Sequence, residues 1–270
     1  MQVGLPLLPR QSNQKNRGCG MMIESFVFVM GTLIGSFLNV CICRLPKNES
    51  IITPPSHCPN CQKRLKAWDL IPILSYLIYR GQCRYCSSPI SLQYPLIEGL
   101  TGLIYLLIYL KFGLNAQAYL SFFFASALIV VSGIDFKHRI IPDIISLPGM
   151  VIGILASIFS IQISLLDAVL GILVGGGLFL LIAIFSRGGM GGGDIKLMGF
   201  IGAFLGWKGA LLTIFFGSLI GSVYGLYLMI FKKVDRKTAI PYGPFLSAGA
   251  LLFTLYGDAL IRFYFQWVLR

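Results

Sequence analysis

Arg187-Gly188-Gly189-Met190-Gly191-Gly192-Gly193-Asp194-Ile195-Lys196 separates two long apolar runs, and its reading decides the fold. A carboxylate at the edge of a hydrocarbon layer costs a few kcal/mol or more, so Asp194 is a functional candidate by default. The glycines around it lack Cβ and let another chain approach the backbone. A second carboxylate, Asp135, closes the run Val130-Val131-Ser132-Gly133-Ile134.

Outward from these acids the chain is apolar almost throughout. Of its 270 residues 56% are hydrophobic and 12% charged, and the mean hydropathy is +0.79. That excludes a soluble globule. The runs are continuous over helix-spanning lengths rather than alternating, so the expected fold is an all-α polytopic membrane protein and not a β-barrel. Eight spans are expected, at about 22–42, 96–112, 117–134, 144–161, 165–186, 195–206, 208–231 and 244–266, the sixth being short. Gly171, Gly175, Gly217, Gly221 and Gly225 recur at four-residue spacing as helix-packing faces.

The net charge of +12 sits in few places: Arg44 to Arg84, Lys137-His138-Arg139, Arg187 with Lys196, and Lys232 to Lys237. With eight spans all four fall on one side, which the positive-inside rule makes cytoplasmic. No basic aromatic module accompanies the charge, so nucleic acid is not an expected partner; the lipid bilayer is. Residues 1–21 form a polar extension carrying Arg10, Lys15 and Arg17, without the apolar core of a signal peptide. Outside the membrane a basic tail fits badly, which favours translation starting at Met21 or Met22; N-terminal sequencing would decide.

After the first span, 22–42, residues 43–95 are long and polar enough for a small module. Cys58-Pro59-Asn60-Cys61 and Cys83-Arg84-Tyr85-Cys86 have the spacing of a four-thiolate structural zinc knuckle. A reducing cytoplasm disfavours the alternative of disulfides. His57 could substitute as a ligand but reads as a solvated loop residue. Cys19, Cys41 and Cys43 read as incidental.

Asp135 and Asp194 both end predicted spans on the cytoplasmic side, so they share a depth. Two carboxylates held close do not both ionise easily; one keeps its proton and the other is free to take one from water. That pair suffices for amide hydrolysis. The plain alternative is that each merely ends a helix at the headgroups. Asp143, after Ile141-Pro142, rivals Asp135 for the first role, but reads as a helix cap. Lys196 either holds charge near the acids or anchors its helix. Asn39, deep in the first span, should bond a neighbouring helix, and Glu98 opens the second span from the interface or points inward.

Taken together, Gly35-Ser36-Phe37-Leu38-Asn39-Val40 with Arg44-Leu45-Pro46, the paired CxxC motifs, Tyr94-Pro95-Leu96-Ile97-Glu98, Asp135 with Ile141-Pro142-Asp143, and Gly191-Gly192-Gly193-Asp194-Ile195-Lys196-Leu197 resemble the type IV prepilin peptidases. The resemblance runs in order from about residue 22 to 250. It implies a GxGD aspartic membrane protease over 96–270, with Asp135 and Asp194 catalytic and Gly191, Gly192, Gly193 and Lys196 where the substrate backbone approaches. The implied substrates are prepilin or pseudopilin precursors of pilus, type II secretion or competence systems. The cut would fall at the cytoplasmic face of a bacterial inner membrane. A second implied activity is N-methylation of the new terminus from S-adenosylmethionine, associated with the zinc-bearing module 43–95. Glu98 and Asn39 are its candidate cofactor-binding residues, no Gly-rich nucleotide fingerprint being present.

The alternative within enzymes is a leader peptidase without methyl transfer. A transporter would place its acids near the bilayer midplane within repeated halves, and a non-catalytic assembly scaffold would need neither aspartate. The sequence leaves the oligomeric state open.

Overall fold

The computed structural model of the chain describes residues 13–186, 189–232 and 240–268. Most of the expected N-terminal extension, Arg187 and most of the basic stretch 232–237 lie outside these residues. The described part is nearly all helix, in the order α1 (Asn13–Arg44), α2 (Leu74–Ile78), α3 (Gln93–Phe112), α4 (Ala116–His138), α5 (Asp143–Ile158), α6 (Leu165–Phe185), α7 (Gly192–Lys232) and α8 (Gly243–Val268). Among the described residues six helices are long and apolar enough to cross a membrane, and α5 is a shorter apolar helix. The chain is therefore a multi-pass helical membrane protein.

Two differences from the expected spans have local causes. α1 begins at Asn13 rather than near residue 22, because once a span is helical each further residue adds a hydrogen bond at little cost. The expected spans 195–206 and 208–231 form the single unit α7, broken at Gly206 (φ 70°, ψ −179°). A side chain seldom takes that φ, and glycine takes it freely. The break folds α7 back on itself: a Cβ built at Gly175 would touch both the Met198 carbonyl and the Ala210 side chain. In a straight helix those two residues would stand about 18 Å apart at 1.5 Å per residue. Counting both arms of α7, eight helical segments pack into the bundle.

Its tightest seam joins α6 to the first arm of α7. Gly171 and Gly202 face each other so closely that a Cβ on either would strike the other's carbonyl. Without a hydrophobic drive between helices in lipid, such close backbone approach is what gains van der Waals contact. Gly31 and Gly35 pack α1 onto Gly102 and Glu98 of α3 in the same way. The core between these seams holds Phe124, Phe179, Phe200, Phe204 and Leu246, all almost fully buried. Phe124 stacks on Phe204 with centroids 4.7 Å apart.

Gly171→Ala or Gly202→Ala should push α6 off α7. Overpacking of this kind costs about 3 kcal/mol, read as a lower Tm and a loss of monodisperse protein in detergent. Gly177→Ala, where an added Cβ meets nothing within 4 Å, should leave both unchanged.

Candidate active site

α4 carries its buried run to Asp135 and ends one turn later, at Arg139. That residue takes a left-handed cap (φ 55°) with its N–H donated to the Asp135 carbonyl at 2.9 Å. The chain then crosses through Ile140-Ile141-Pro142 to α5. Ile141 fills the space beside Gly193, where a Cβ would lie 2.9 Å from that of Ile141. The α4–α5 crossing thus presses on the glycine loop that opens α7. In that loop the Asp194 N–H bonds the Gly191 carbonyl at 3.1 Å, and an added Cβ on Gly191 would sit 3.4 Å from Asp194 Oδ2. Asp135 is buried and Asp194 half-buried. The two carboxyl groups come within electrostatic reach of each other, at the end of the bundle shared by the C-terminus of α4 and the N-termini of α5, α7 and α8.

A third strand of chain completes this corner, and sequence reasoning missed it. The Gly243 main-chain amide donates to Asp135 Oδ2 at 2.9 Å, and a Cβ at Gly243 would lie 2.7 Å from the same oxygen. Beside it Tyr242 stacks on Phe179, its centroid 6.0 Å away. The Tyr242 hydroxyl pairs with the Ser218 hydroxyl at 2.7 Å, and its ring lies within electrostatic reach of Asp194. A backbone donor leaves no mark on residue type. The only trace in the sequence is a glycine between Tyr242 and Pro244 where a helix could start with almost any residue.

The other acid of this region is engaged elsewhere. Lys196 Nζ bonds both oxygens of Asp143, at 2.8 and 2.7 Å, fastening α7 to the first turn of α5. Lys196 therefore pairs with the rival aspartate. Asp143 is the first residue inside α5, with Pro142 at the cap position.

At the same end of the bundle, Asn39 and Glu98 hold main chain. Asn39, fully buried, donates to the Tyr94 carbonyl at 3.1 Å and to the Gly35 carbonyl at 3.3 Å. It also accepts from Gln93 Nε2 at 3.4 Å. The buried Glu98 accepts the Ile73 N–H at 2.8 Å. Ile73 has φ 61° and ψ −50°, and Leu74 N–H donates across it to the Pro72 carbonyl. This is a γ-turn at positive φ, rare for any residue and sterically costly for a β-branched one. Such strain persists only where surroundings over-determine it, and here the carboxylate of Glu98 does so.

The four cysteines meet in the module between α1 and α3. Their Sγ atoms all lie within 4.8 Å of one another, with Cys58 and Cys86 sulfurs 3.8 Å apart. Thiolates bound at about 2.3 Å around a tetrahedral ion stand about 3.8 Å apart, so the cluster could hold a metal ion. Two matching knuckles build it. Cys58 N–H bonds Lys63 O, Gln62 N–H bonds Cys58 O and Leu65 N–H bonds Ser56 O; Cys83 to Ser88, Ser87 to Cys83 and Ile90 to Gly81 repeat the pattern. Each knuckle turns at a left-handed residue after its second cysteine, Gln62 (φ 59°) and Ser87 (φ 56°). The Cys61 amide, aimed at Cys58 Sγ, outweighs burial and holds that thiol down at about 6. The Ser88 hydroxyl lowers Cys86 likewise. Cys61 moves the opposite way, up to about 11: the Lys63 amide lowers it, but burial and the neighbouring Cys86, Cys58 and Cys83 thiols outweigh that amide. Cys58 and Cys86 are therefore the two thiols disposed toward the thiolate a metal requires. His57 Nδ1 instead faces the Pro55 carbonyl, 3.0 Å away.

Comparison with known proteins matches residues 29–112 to the bacterial peptidase A24 N-terminal domain and residues 122–226 to the type IV leader peptidase family. A prepilin leader peptidase/N-methyltransferase of Bacillus subtilis is 36% identical over 245 residues, covering 91% of this chain and 99% of the relative. Proteins of the same description from Xanthomonas campestris (35%, 88% and 92% covered) and Pseudomonas aeruginosa (32%, 88% and 92%) align similarly. No solved structure matches the chain. With two acids within electrostatic reach at one end of a helical bundle, a four-cysteine module beside it and relatives aligned over nearly their whole length, the chain belongs to the type IV leader peptidase family.

Proposed function

We propose that the chain removes the leader from prepilin-like precursors by a two-aspartate hydrolysis and then N-methylates the residue it exposes. The observation that carries this reading is the convergence of Asp135 and Asp194, one of them fixed by a main-chain amide. One carboxyl group of the pair holds a proton and polarises the scissile carbonyl. The other accepts a proton from the attacking water, so the tetrahedral intermediate forms without a metal or a covalent enzyme adduct. That second group then returns its proton to the leaving nitrogen. Asp135 Oδ2 is occupied by Gly243, which leaves Oδ1 for the reaction. Gly191 and Gly192 give an extended substrate backbone room beside Asp194, while the space beside Gly193 is taken by Ile141. Lys196 acts at one remove, holding Asp143 and thereby the start of α5. The basic residues of this end support, by the positive-inside rule, an active site that faces the cytoplasm from a bacterial inner membrane.

Cys58, Cys61, Cys83 and Cys86 hold zinc. Four protein ligands leave no open position, so the ion is structural. Methyl transfer follows from what the relatives are named for, and it sets aside the reading of a peptidase alone. S-adenosylmethionine is the donor. Asn39 and Glu98, the sequence candidates for binding it, are buried; Asn39 donates to two main-chain carbonyls and accepts from the Gln93 side chain, and Glu98 accepts a main-chain N–H. They brace the joint between module and bundle.

Asp135→Asn and Asp194→Asn should each cut precursor cleavage in membranes by about 10²- to 10⁴-fold, the usual worth of a positioned acid or base. Asp143→Asn should cleave nearly as the parent does; the reverse pattern would move the first role to Asp143. Gly243→Ala should lower kcat by about 100-fold, the cost of misplacing a reacting group by roughly an ångström, with KM little changed, as followed on a precursor peptide in detergent. Cys83→Ser should abolish bound zinc by elemental analysis. The processed product should then lack the added methyl by mass spectrometry, while leader removal persists.

A further inference from the structure

The segment 67–78 of the cysteine module carries five large apolar residues turned outward: Trp68, Leu70, Leu74, Leu77 and Ile78, from 40% to 73% exposed. In a water-facing module this would be an unexplained patch. Its depth gives another account. Ile73 is tied to Glu98, and Glu98 lies against Gly35 of α1. Gly35 precedes the end of α1 at Arg44 by nine residues, about 13 Å of helix at 1.5 Å per residue. The strained turn at Ile73 is therefore drawn down toward the apolar length of α1 and α3, and the short helix that follows starts there. Apolar side chains at that depth meet acyl chains.

The charges around the patch agree. Lys63, Arg64, Lys66, Arg80 and Arg84 flank it, against the one acid Asp69. Asp69 is already taken by the Tyr85 hydroxyl at 3.1 Å and by Arg84 at 3.7 Å. That leaves Lys63, Arg64, Lys66 and Arg80 with no acidic partner among the described residues, and cations flanking an apolar segment fit the headgroups of anionic phospholipid, to which each contributes about 1 kcal/mol. Trp68, with an apolar ring and one N–H donor, suits the same boundary.

We infer that 67–78 is an interfacial anchor: the cysteine module lies on the bilayer at the end that holds the two aspartates. Trp68, Leu70, Leu74, Leu77 and Ile78 enter the acyl boundary, and the flanking cations hold anionic lipid headgroups. The module is then fixed in height relative to the aspartates by lipid as well as by the Ile73–Glu98 bond.

The test uses the full chain carrying Trp207→Phe and Trp267→Phe, so that Trp68 is its only tryptophan. It is reconstituted in phosphatidylethanolamine–phosphatidylglycerol vesicles with or without bromine on the upper acyl chain. An interfacial residue buried about 5–10 Å should lose about half its emission or more to the bromines, and should resist iodide present on both sides of the membrane. Emission indifferent to bromine and quenched by iodide would overturn the inference. So would bromine quenching that appears only after a precursor peptide is added, which would give the face to the substrate. If the double variant does not insert, the difference between the parent chain and Trp68→Phe in the same vesicles isolates the same signal.

Discussion

A carboxylate at the mouth of an apolar bundle has few ways to be held still, and here one bond holds it: the Gly243 amide on Asp135 Oδ2. The bond ties α4 to the start of α8, two elements more than a hundred residues apart in the chain (|i−j| 108). Water and flexible side chains would hold the group in several orientations. A helix N-terminus offers amides that have no partner inside their own helix, and it offers them from a rigid element. The requirement propagates outward. Gly243 has no room for a side chain, Tyr242 must pack on Phe179 of α6 and reach Ser218 of α7, and Ile141 must press on Gly193. Three separate crossings of chain thus converge on two acids.

Convergence of that kind needs thin, stiff seams behind it. The glycine contacts between α6 and α7 put backbone on backbone, so the first arm of α7 cannot slide without losing contact along its length. The fold-back at Gly206 then returns the chain so that α8 can reach the site end, where Tyr242 and Gly243 stand. Asp194 opens the first arm and Ser218 sits in the second, which makes the hairpin a frame for both sides of the corner.

Much of this was legible. Hydropathy marked the spans, including the division of α7 near residue 207, because a chain that must satisfy its backbone in lipid leaves little choice but helix. The cysteine spacing marked the knuckles, and Asp135 and Asp194 stood out because charge inside apolar runs is expensive. What stayed hidden has a common cause, since main-chain groups carry no letter. Gly243 donates through an amide that every residue but proline has. The repeat between the two knuckles resides in hydrogen bonds, while 57–64 and 82–89 share only their cysteines. Ile73 misleads outright, because a β-branched residue argues against positive φ and is held there by a carboxylate twenty-five positions away (|i−j| 25).

That last contact links the two halves of the molecule in physical terms. Glu98 is buried between α1 and α3, where an unpaired carboxylate would be costly, and its partner is an N–H that exists in usable form only because Ile73 adopts a strained turn. Each compensates the other: the turn, at about 1–3 kcal/mol of backbone strain, supplies the donor, and the donor's bond stabilises the turn. A module joined to the bundle through so few groups would otherwise swing on its two chain connections. The joint at Glu98, the Asn39 contacts to the start of α3 and an apolar edge at the level of the headgroups together restrict it to one height and one side. A module pinned at the depth of the aspartates stays beside the end of the bundle that holds them without any large motion of the bundle.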